Sequence, residues 1–240
     1  MTSASDTTQA PPAVSHRQIF ETCYRALPQD ERAQAAGTAS DPDLSALCFD
    51  PAPAVIRGVL DNPRAALLHA RLIAAHHANP VGLQAVAARV SFAQDREVQR
   101  LLLRNIQTPE TVVRSLFSGR QLTDIFRFSR SHDCPDRHRE TARRTLKHRF
   151  STATSEERVD LIVTSEGRAL TALSSVPLDG RSVALLCLRG TFSVLLIENL
   201  ARWPATPPKL VAHLLRQPAV SQYPSLKQSI LRHPNRPSTM

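Results

Sequence analysis

The chain has 240 residues, of which 42% are hydrophobic, enough to bury a core, so a chain disordered throughout is excluded. Seven glycines and 5% aromatic residues are too few for the turns and strands of a β-sandwich or β-barrel. The formal net charge is +9, and arginine supplies nearly all of the excess, since the only lysines are Lys147, Lys209 and Lys227. This balance favours an acidic partner or nucleic acid, although a coding bias toward arginine and alanine would give the same composition.

The first segment, residues 1–14, is rich in Ser, Thr, Ala and Pro and predicts a disordered tail. It has neither the basic nor the apolar region of a signal peptide, and no stretch approaches the roughly 18 apolar residues that cross a bilayer. The four cysteines never form a CxxC pair, and Cys48 and Cys187 lie in apolar runs that predict small buried side chains. Together these features predict a cytoplasmic protein without membrane insertion.

Residues 15–50 are expected to form N-terminal capping helices. The first is predicted over residues 16–27, where apolar side chains recur with the period of a helix. Its apolar stripe consists of Ile19, Phe20, Cys23, Tyr24 and Leu27.

From residue 51 onward a helix start recurs, in which a capping or turn residue is followed by apolar residues at offsets of four, five, eight and nine. It is clearest at Thr108-Pro109 and Thr206-Pro207, because threonine can cap the free amides of a first turn and proline at the first helical position loses no hydrogen bond. The prolines near 51, 109 and 207 are predicted to mark equivalent corners. Successive starts lie at 51, 79, 108, 155, 179, 206 and about 235.

A second helix is predicted inside most intervals. These helices open at or after Asn62-Pro63, Asp95, Gly190 and Tyr223-Pro224. One helix pair cannot bury its own apolar faces, whereas stacked pairs share a continuous core. We therefore expect an all-α fold, an α-solenoid of about six degenerate helix-pair (HEAT-like) repeats over residues 51–240. An irregular helical bundle has the same apolar faces and is the alternative.

Three junctions carry a family resemblance: Arg104-Asn105-Ile106-Gln107-Thr108-Pro109-Glu110, Ala201-Arg202-Trp203-Pro204-Ala205-Thr206-Pro207-Pro208 and Leu231-Arg232-His233-Pro234-Asn235-Arg236-Pro237. They resemble the leucine-rich-repeat-variant and HEAT-like families of bacterial α-solenoids. The resemblance implies a curved superhelix that binds macromolecules, and HEAT-like proteins include DNA glycosylases. This chain has a longer period than the variant family and lacks its N-terminal cysteine cluster for an iron-sulfur centre, so no cofactor is expected.

The long interval between 108 and 155 holds a predicted insertion at about 118–135, followed by the most basic helix of the chain, 136–149. Ala142, Leu146 and Phe150 give this helix one narrow apolar seam. Its cations could neutralise phosphates or carboxylates, although a solvated outer face has the same pattern. The candidate partner-binding residues are Arg137, Arg139, Arg143, Arg144, Lys147 and Arg149.

Other chemistry is weakly indicated. His132, Cys134 and His138 are zinc-competent ligand types, but their spacing matches no usual finger, so no metal site is predicted. GxSxG, P-loop, GxGxxG and HExxH motifs are absent from the sequence, Trp203 is expected to pack at a junction, and no catalytic residue is assigned. The predicted function is a non-enzymatic adaptor or scaffold that binds an acidic protein. The alternative is a nucleic-acid-binding HEAT-like protein, with a DNA-glycosylase-like activity included.

Overall fold

The computed structural model describes residues 15–174 and 176–237, so the predicted disordered tail at 1–14 lies outside the described residues. Within these two ranges every regular element is a helix and no strand occurs, which confirms the predicted all-α class. The chain divides into two compact units, Met1–Val112 and Val113–Met240.

The first unit is built from two layers of helices that alternate along the chain. Helices α2, α4 and α6 pack in sequence in one layer, while α3, α5 and α8 pack in sequence in the other. Its helices are α1 (His16–Ile19, continued by a π-helical turn, Phe20–Tyr24), α2 (Gln29–Thr38), α3 (Asp43–Leu47), α4 (Pro53–Asp61), α5 (Leu67–His76), α6 (Pro80–Ala88), α7 (Val90–Ala93), α8 (Arg96–Arg104) and α9 (Glu110–Ser118), which crosses the boundary between units.

The second unit repeats this alternation. One layer contains α10, α12, α13 and α15 in succession, and the other contains α11, a 3₁₀ helix, α14 and α17. Its helices are α10 (Leu122–Ser129), α11 (Asp136–Thr152), α12 (Ser155–Thr164), the 3₁₀ helix (Arg168–Leu173), α13 (Gly180–Cys187), α14 (Val194–Arg202), α15 (Pro208–Leu215), α16 (Pro218–Gln222) and α17 (Pro224–Leu231). The predicted insertion at 118–135 therefore contains α10, which packs against both α11 and α12.

Most of the predicted helix starts coincide with the amino-terminal ends of helices in the structure. Asn79 and Asp95 are the N-caps of α6 and α8, and each side chain accepts a hydrogen bond from a first-turn amide. Asp179 caps α13 in the same way, and Tyr223 precedes α17. Polar caps followed by apolar periodicity were thus sufficient to locate these helices.

Helices α4 and α5 begin two and four residues later than predicted, because Asp50 and Asn62 form turns just before them. Asp50 accepts the amide of Ala52 at 2.7 Å, which forms a tight turn, so α4 begins at Pro53 rather than at Pro51. Asn62 ends α4, and its backbone carbonyl accepts the amide of Ala65 at 2.9 Å in a second turn. Helix α5 consequently begins at Leu67 instead of Pro63.

The opening helix also differs from the prediction over 16–27. A π-helical turn at Phe20–Tyr24 changes the number of residues per turn, which rotates the following side chains off the expected stripe. Phe20 is buried, but Cys23 and Leu27 are exposed. Of the two cysteines expected inside, Cys48 is buried and Cys187 is only half-buried.

The corners at Thr108 and Thr206 are built alike. Both side chains are fully buried, and each hydroxyl donates at 2.6 Å to the carbonyl six residues earlier, that of Leu102 and that of Leu200. Each backbone amide also donates at 3.0 Å to the carbonyl three residues earlier. The hydroxyl thus ties the end of the preceding helix. The sequence predicted that the threonine would cap the following helix and that the proline would be its first residue, which is wrong for α15: this helix begins at Pro208, and its N-cap is Pro207, which offers no side-chain cap. The corner near Pro51 lacks this arrangement, since Asp50 occupies it.

Three asparagine side chains each donate to two backbone carbonyls that lie beside or after an earlier helix. Asn62 Nδ2 donates to the carbonyls of Ala36 and Ala39 at 2.8 and 2.9 Å, beside the end of α2. Asn105 Nδ2 donates to the carbonyls of Ala74 and His77 at 3.0 and 2.9 Å, beside the end of α5. Asn235 Nδ2 contacts the carbonyls of Pro204 and Thr206 at 3.0 Å, after α14. The amides of Asn62 and Asn105 satisfy carbonyls that a helix end leaves without an intrahelical donor, and that of Asn235 satisfies two carbonyls of the loop between α14 and α15.

Candidate partner-binding surface

The predicted basic helix is present as α11, which at 17 residues is the longest helix in the described part of the chain. Pro135 precedes its first residue, Asp136, whose negative charge suits the amino end of a helix. The predicted seam of Ala142, Leu146 and Phe150 is fully buried. Burial of this seam fixes which side of α11 faces the core and leaves the opposite side in solvent.

Four of the six predicted cations lie on the exposed side. Arg137, Arg143, Arg144 and Lys147 are exposed, and the ten steps from the first to the last rise about 15 Å along the helix. The carboxylate of Glu140 lies among them and pairs with Arg143 at 3.2 Å. This surface, called here the α11 cation face, therefore keeps a net positive charge.

The other two predicted residues turn toward the protein. Arg139 forms an ion pair with Asp136 and donates to the carbonyl of Ser131 at 3.4 Å. Its side chain is only 22% exposed. Arg139 is therefore positioned to fix the start of α11 rather than to reach a partner.

Arg149 has an equally internal role. Its Nη1 donates to the carbonyl of Phe117 at 3.2 Å and also to that of Arg120, at and just after the end of α9. These carbonyls are three residues apart, as are those that Asn62 and Asn105 contact. Arg149 therefore donates to two carbonyls near the end of α9, as Asn62 and Asn105 do near the ends of α2 and α5. Sequence spacing alone could not reveal this, because the partners lie 32 and 29 residues away.

The zinc-competent residues beside α11 are not arranged as a ligand set. Cys134 and His138 are buried and His132 is exposed. Arg137 Nε lies 3.3 Å from His138 Nε2. Among the residues that the structure describes, no group of three His, Cys, Asp or Glu side chains is placed to hold a metal ion.

A cluster of catalytic residue types occurs in the first unit, at Ser45, Asp41 and His69. Ser45 Oγ donates to Asp41 Oδ1 at 2.6 Å, and His69 Nε2 lies 3.1 Å from the same oxygen. His69 Nδ1 accepts the amide of Ala66 at 2.9 Å, so Nε2 carries the proton. Neither ring nitrogen is available as a base, and the carboxylate separates serine from histidine. The cluster caps α5 and holds α3 against it.

The structure also contains a groove that the sequence did not predict. It lies in the second unit between α10 and α12 and has a volume of about 350 Å³. Three arginines line it, Arg127 on α10, Arg130 at the C-cap of α10 and Arg168 after α12, together with Phe126 and Glu166. The spacing of Arg127 and Arg130 is visible in the sequence, but the approach of Arg168 depends on a turn that periodicity does not specify.

Comparisons with protein-family models, with curated proteins and with solved structures found no match for this chain. None of the helices in the described ranges is both long enough and apolar enough to cross a lipid bilayer.

Proposed function

We propose that this protein is a non-enzymatic adaptor or scaffold of stacked helix pairs, of the α-solenoid type, that binds an acidic protein through the α11 cation face. The observation that carries the proposal is the exposure of Arg137, Arg143, Arg144 and Lys147 on one side of a helix whose other side is buried. A rigid helix presents these charges in a fixed order, so a matching row of carboxylates can engage several of them together.

The stacking of helix pairs is supported by three features inside the units. Helices alternate between two layers in each unit. Thr108 and Thr206 form matching corners. Asn62, Asn105 and Arg149 each donate to two carbonyls near the end of an earlier helix. Repetition of one joint at several places is what stacked repeats need, since each pair contacts mainly its neighbours.

Arginine suits the proposed role because its planar group can donate two hydrogen bonds to one carboxylate. An exposed ion pair contributes about 0.2–1 kcal/mol, so four such pairs give at most about 4 kcal/mol. The α11 cation face would therefore steer and orient the partner, and apolar contacts around it would supply the rest of the affinity.

An acidic protein fits better than nucleic acid on the evidence of the aromatic side chains. Single-stranded nucleic acid is commonly held by bases stacked on exposed rings. Phe128 instead packs edge-on against Phe117 at 4.9 Å, and the ring of Phe126 lies beneath the guanidinium of Arg130. Trp203 is 3% exposed. These rings are engaged within the protein.

The absence of catalysis is part of the proposal, and two contacts support it. His69 uses both ring nitrogens in internal hydrogen bonds. Glu166, the carboxylate that shares a groove with an aromatic ring, pairs with Arg168 at 3.0 Å. We also place the protein in the cytoplasm, because its four cysteines, all free thiols, suit a reducing compartment.

The test is an affinity capture from host extract, with and without nuclease, using the wild type and the Arg144→Glu/Lys147→Glu variant. The proposal predicts a defined protein that survives nuclease treatment and is lost from the variant. Arg189→Glu is the matched control, because Arg189 is an exposed arginine after α13 in the same unit. A captured species that disappears on nuclease treatment would instead identify the partner as nucleic acid, and base release from alkylated duplex would identify a glycosylase.

A further inference from the structure

The groove between α10 and α12 has a chemistry that the α11 cation face does not share. Its walls are two helices and the turn that follows α12, all within the second unit. Arg127, Arg130 and Arg168 bring three positive charges to it, and Glu166 brings one negative charge. The net charge of this lining is therefore about +2, from three arginines and one glutamate.

Each of the three arginines is oriented by one neighbour and still exposed. The guanidinium carbon of Arg130 lies 5.8 Å from the centre of the Phe126 ring, a cation–π contact. Arg168 pairs with Glu166 at 3.0 Å, and Arg127 with Asp124 at 3.6 Å. Their side chains remain 52% and 71% exposed. Since each guanidinium has five N–H donors, most donors remain available to a ligand.

A strained turn holds Arg168 at the groove. Glu166 has φ 50° and Gly167 has φ 76°, so two successive residues are left-handed, and for glutamate this costs about 1–2 kcal/mol. The Gly167 amide donates to the carbonyl of Ile162 at 2.7 Å, and Asn199 Nδ2 donates to that of Glu166 at 2.8 Å. A Cβ at Gly167 would lie 2.7 Å from that of Asn199. With the bond from the Glu166 amide to the carbonyl of Val163 at 2.9 Å, these contacts form a C-terminal cap of α12 that fixes the turn before Arg168.

The far end of the same helix pair is acidic. Beyond Thr123, a neighbouring hollow is lined by Glu156, Glu157 and Asp160. A long polyanion such as nucleic acid would be repelled by this acidic hollow. A peptide with one anionic side chain and one nearby basic side chain would be attracted by both, the anion to the groove and the cation to the hollow. Between Glu157 and Thr164 the helix rises about 10 Å, which an extended peptide covers in about three residues.

We propose that this groove binds a phosphoserine or phosphothreonine side chain of a partner peptide that carries a lysine or arginine about three positions away. A phosphomonoester has a charge of about −1.5 to −2 at neutral pH, opposite in sign to the positively charged lining of the groove, and an arginine can donate two hydrogen bonds to its oxygens. This site is separate from the α11 cation face and does not depend on it.

The test is fluorescence anisotropy with a labelled phosphoserine peptide that has lysine three positions before or after the phosphoserine, alongside its unphosphorylated form. We expect the phosphorylated peptide to bind at least tenfold more tightly, with one of the two lysine placements favoured. Arg130→Gln/Arg168→Gln should remove at least tenfold of this affinity. Arg189→Gln and the Arg144→Glu/Lys147→Glu variant should leave it unchanged, so failure of this site and failure of the proposed function are distinguishable.

The proposal is overturned if both peptides bind alike, if neither binds, or if the arginine substitutions have no effect. Tighter binding of single-stranded DNA of equal charge than of the phosphopeptide would also overturn it and would identify a nucleic-acid groove. Circular dichroism verifies that the double variant folds. If the double variant does not fold, Arg127→Gln takes its place, because that side chain is 71% exposed. This variant should weaken binding of the phosphorylated peptide and leave binding of the unphosphorylated peptide unchanged.

Discussion

At the scale of single residues, the joints between helix pairs depend on side-chain amides. Asn105 donates to two carbonyls that lie about 30 residues earlier in the chain, those of Ala74 and His77. Its Oδ1 also accepts the amide of Gln107 at 2.9 Å. One side chain therefore satisfies three backbone groups around the ends of α5 and α8.

Asn105→Ala should lower the free energy of unfolding by about 1–3 kcal/mol, because partly buried backbone groups lose their partners. Urea denaturation followed by circular dichroism measures the change. Gln107→Ala is the matched control, since the Gln107 side chain is exposed and only its backbone makes the contact. Equal stability of the two variants would show that the Asn105 amide does not stabilise the contact between these helices.

Gly82 allows a histidine to approach α6 closely. A Cβ at this position would overlap the ring of His77, which is buried. Gly82→Ala should therefore destabilise the protein by about 1–3 kcal/mol, through displacement of a packed ring. The control is Gly119→Ala, where an added Cβ meets nothing within 4 Å. Urea denaturation of both variants measures the change, and a Gly82→Ala variant as stable as the wild type would contradict this account of the His77 ring.

His77 also makes stability depend on pH. Burial lowers the pKa of His77, outweighing the opposite influence of the Asp50 carbonyl and charge, so the folded protein binds the proton less readily than the unfolded chain. The stability contributed by neutral His77 is complete above about pH 6.5, the ordinary value, and is lost as pH falls toward the lowered pKa. We expect the urea concentration at the unfolding midpoint to decrease as the pH is lowered from about 8 to about 5.

Replacement of His77 isolates that contribution. The variant His77→Gln should show a smaller fall in midpoint over the same pH range, whereas His148→Gln, at an exposed position on α11, should keep the full slope. The pKa of His213 is also lowered by burial, and its contribution remains in both variants. An unchanged slope in His77→Gln would contradict this assignment.

At the scale of elements, Arg158 joins three helices of the second unit. Its Nε and Nη2 donate at 2.8 Å to the carbonyls of Phe150 and Ser151 near the end of α11, and its Nη1 contacts Asp179, the N-cap of α13, at 2.8 Å. Asp179 also accepts the hydroxyls of Ser155 and Ser182, and these bonds together with Arg158 hold its pKa well below the usual range.

Arg158→Met should cost about 2–4 kcal/mol, because the side chain is only 13% exposed and its loss leaves two carbonyls and a carboxylate without this donor. Arg181→Met is the control. Its pair with Glu156 also joins α13 to α12, but the side chains are 72% and 54% exposed, so water screens the pair and its loss should cost less than the loss of Arg158. Chemical denaturation would contradict the account if the two losses were equal.

The sequence predicts elements well where the signal is local. Ala142, Leu146 and Phe150 repeat every four residues, and that spacing alone located the buried side of α11. Prediction from the sequence failed where a side chain contacts a residue that is not its neighbour on the helix. Arg139 and Arg149 have the same residue type and nearly the same spacing as the exposed cations, and only the carbonyls of Ser131 and Phe117 distinguish them.

At the scale of the molecule, composition and periodicity were enough for the all-α class and for most helix positions. The division into two units and the groove with Arg168 were not predicted, because each arises from contacts between distant segments. Of the three prolines expected at equivalent corners, Pro109 and Pro207 follow matching threonines, while Pro51 follows a buried aspartate. Proline predicts a chain reversal, but the side chain before the proline determines which hydrogen bonds hold that reversal.

The central claim is that the exposed cations of α11 are the contact for a macromolecular partner. Its most direct test is the affinity of the captured partner for the wild type, for Arg144→Glu/Lys147→Glu and for Arg189→Glu, each measured across a salt series. We predict at least a tenfold loss and a shallower salt dependence for the double variant alone. An affinity and a salt dependence that are the same for all three proteins would contradict the claim.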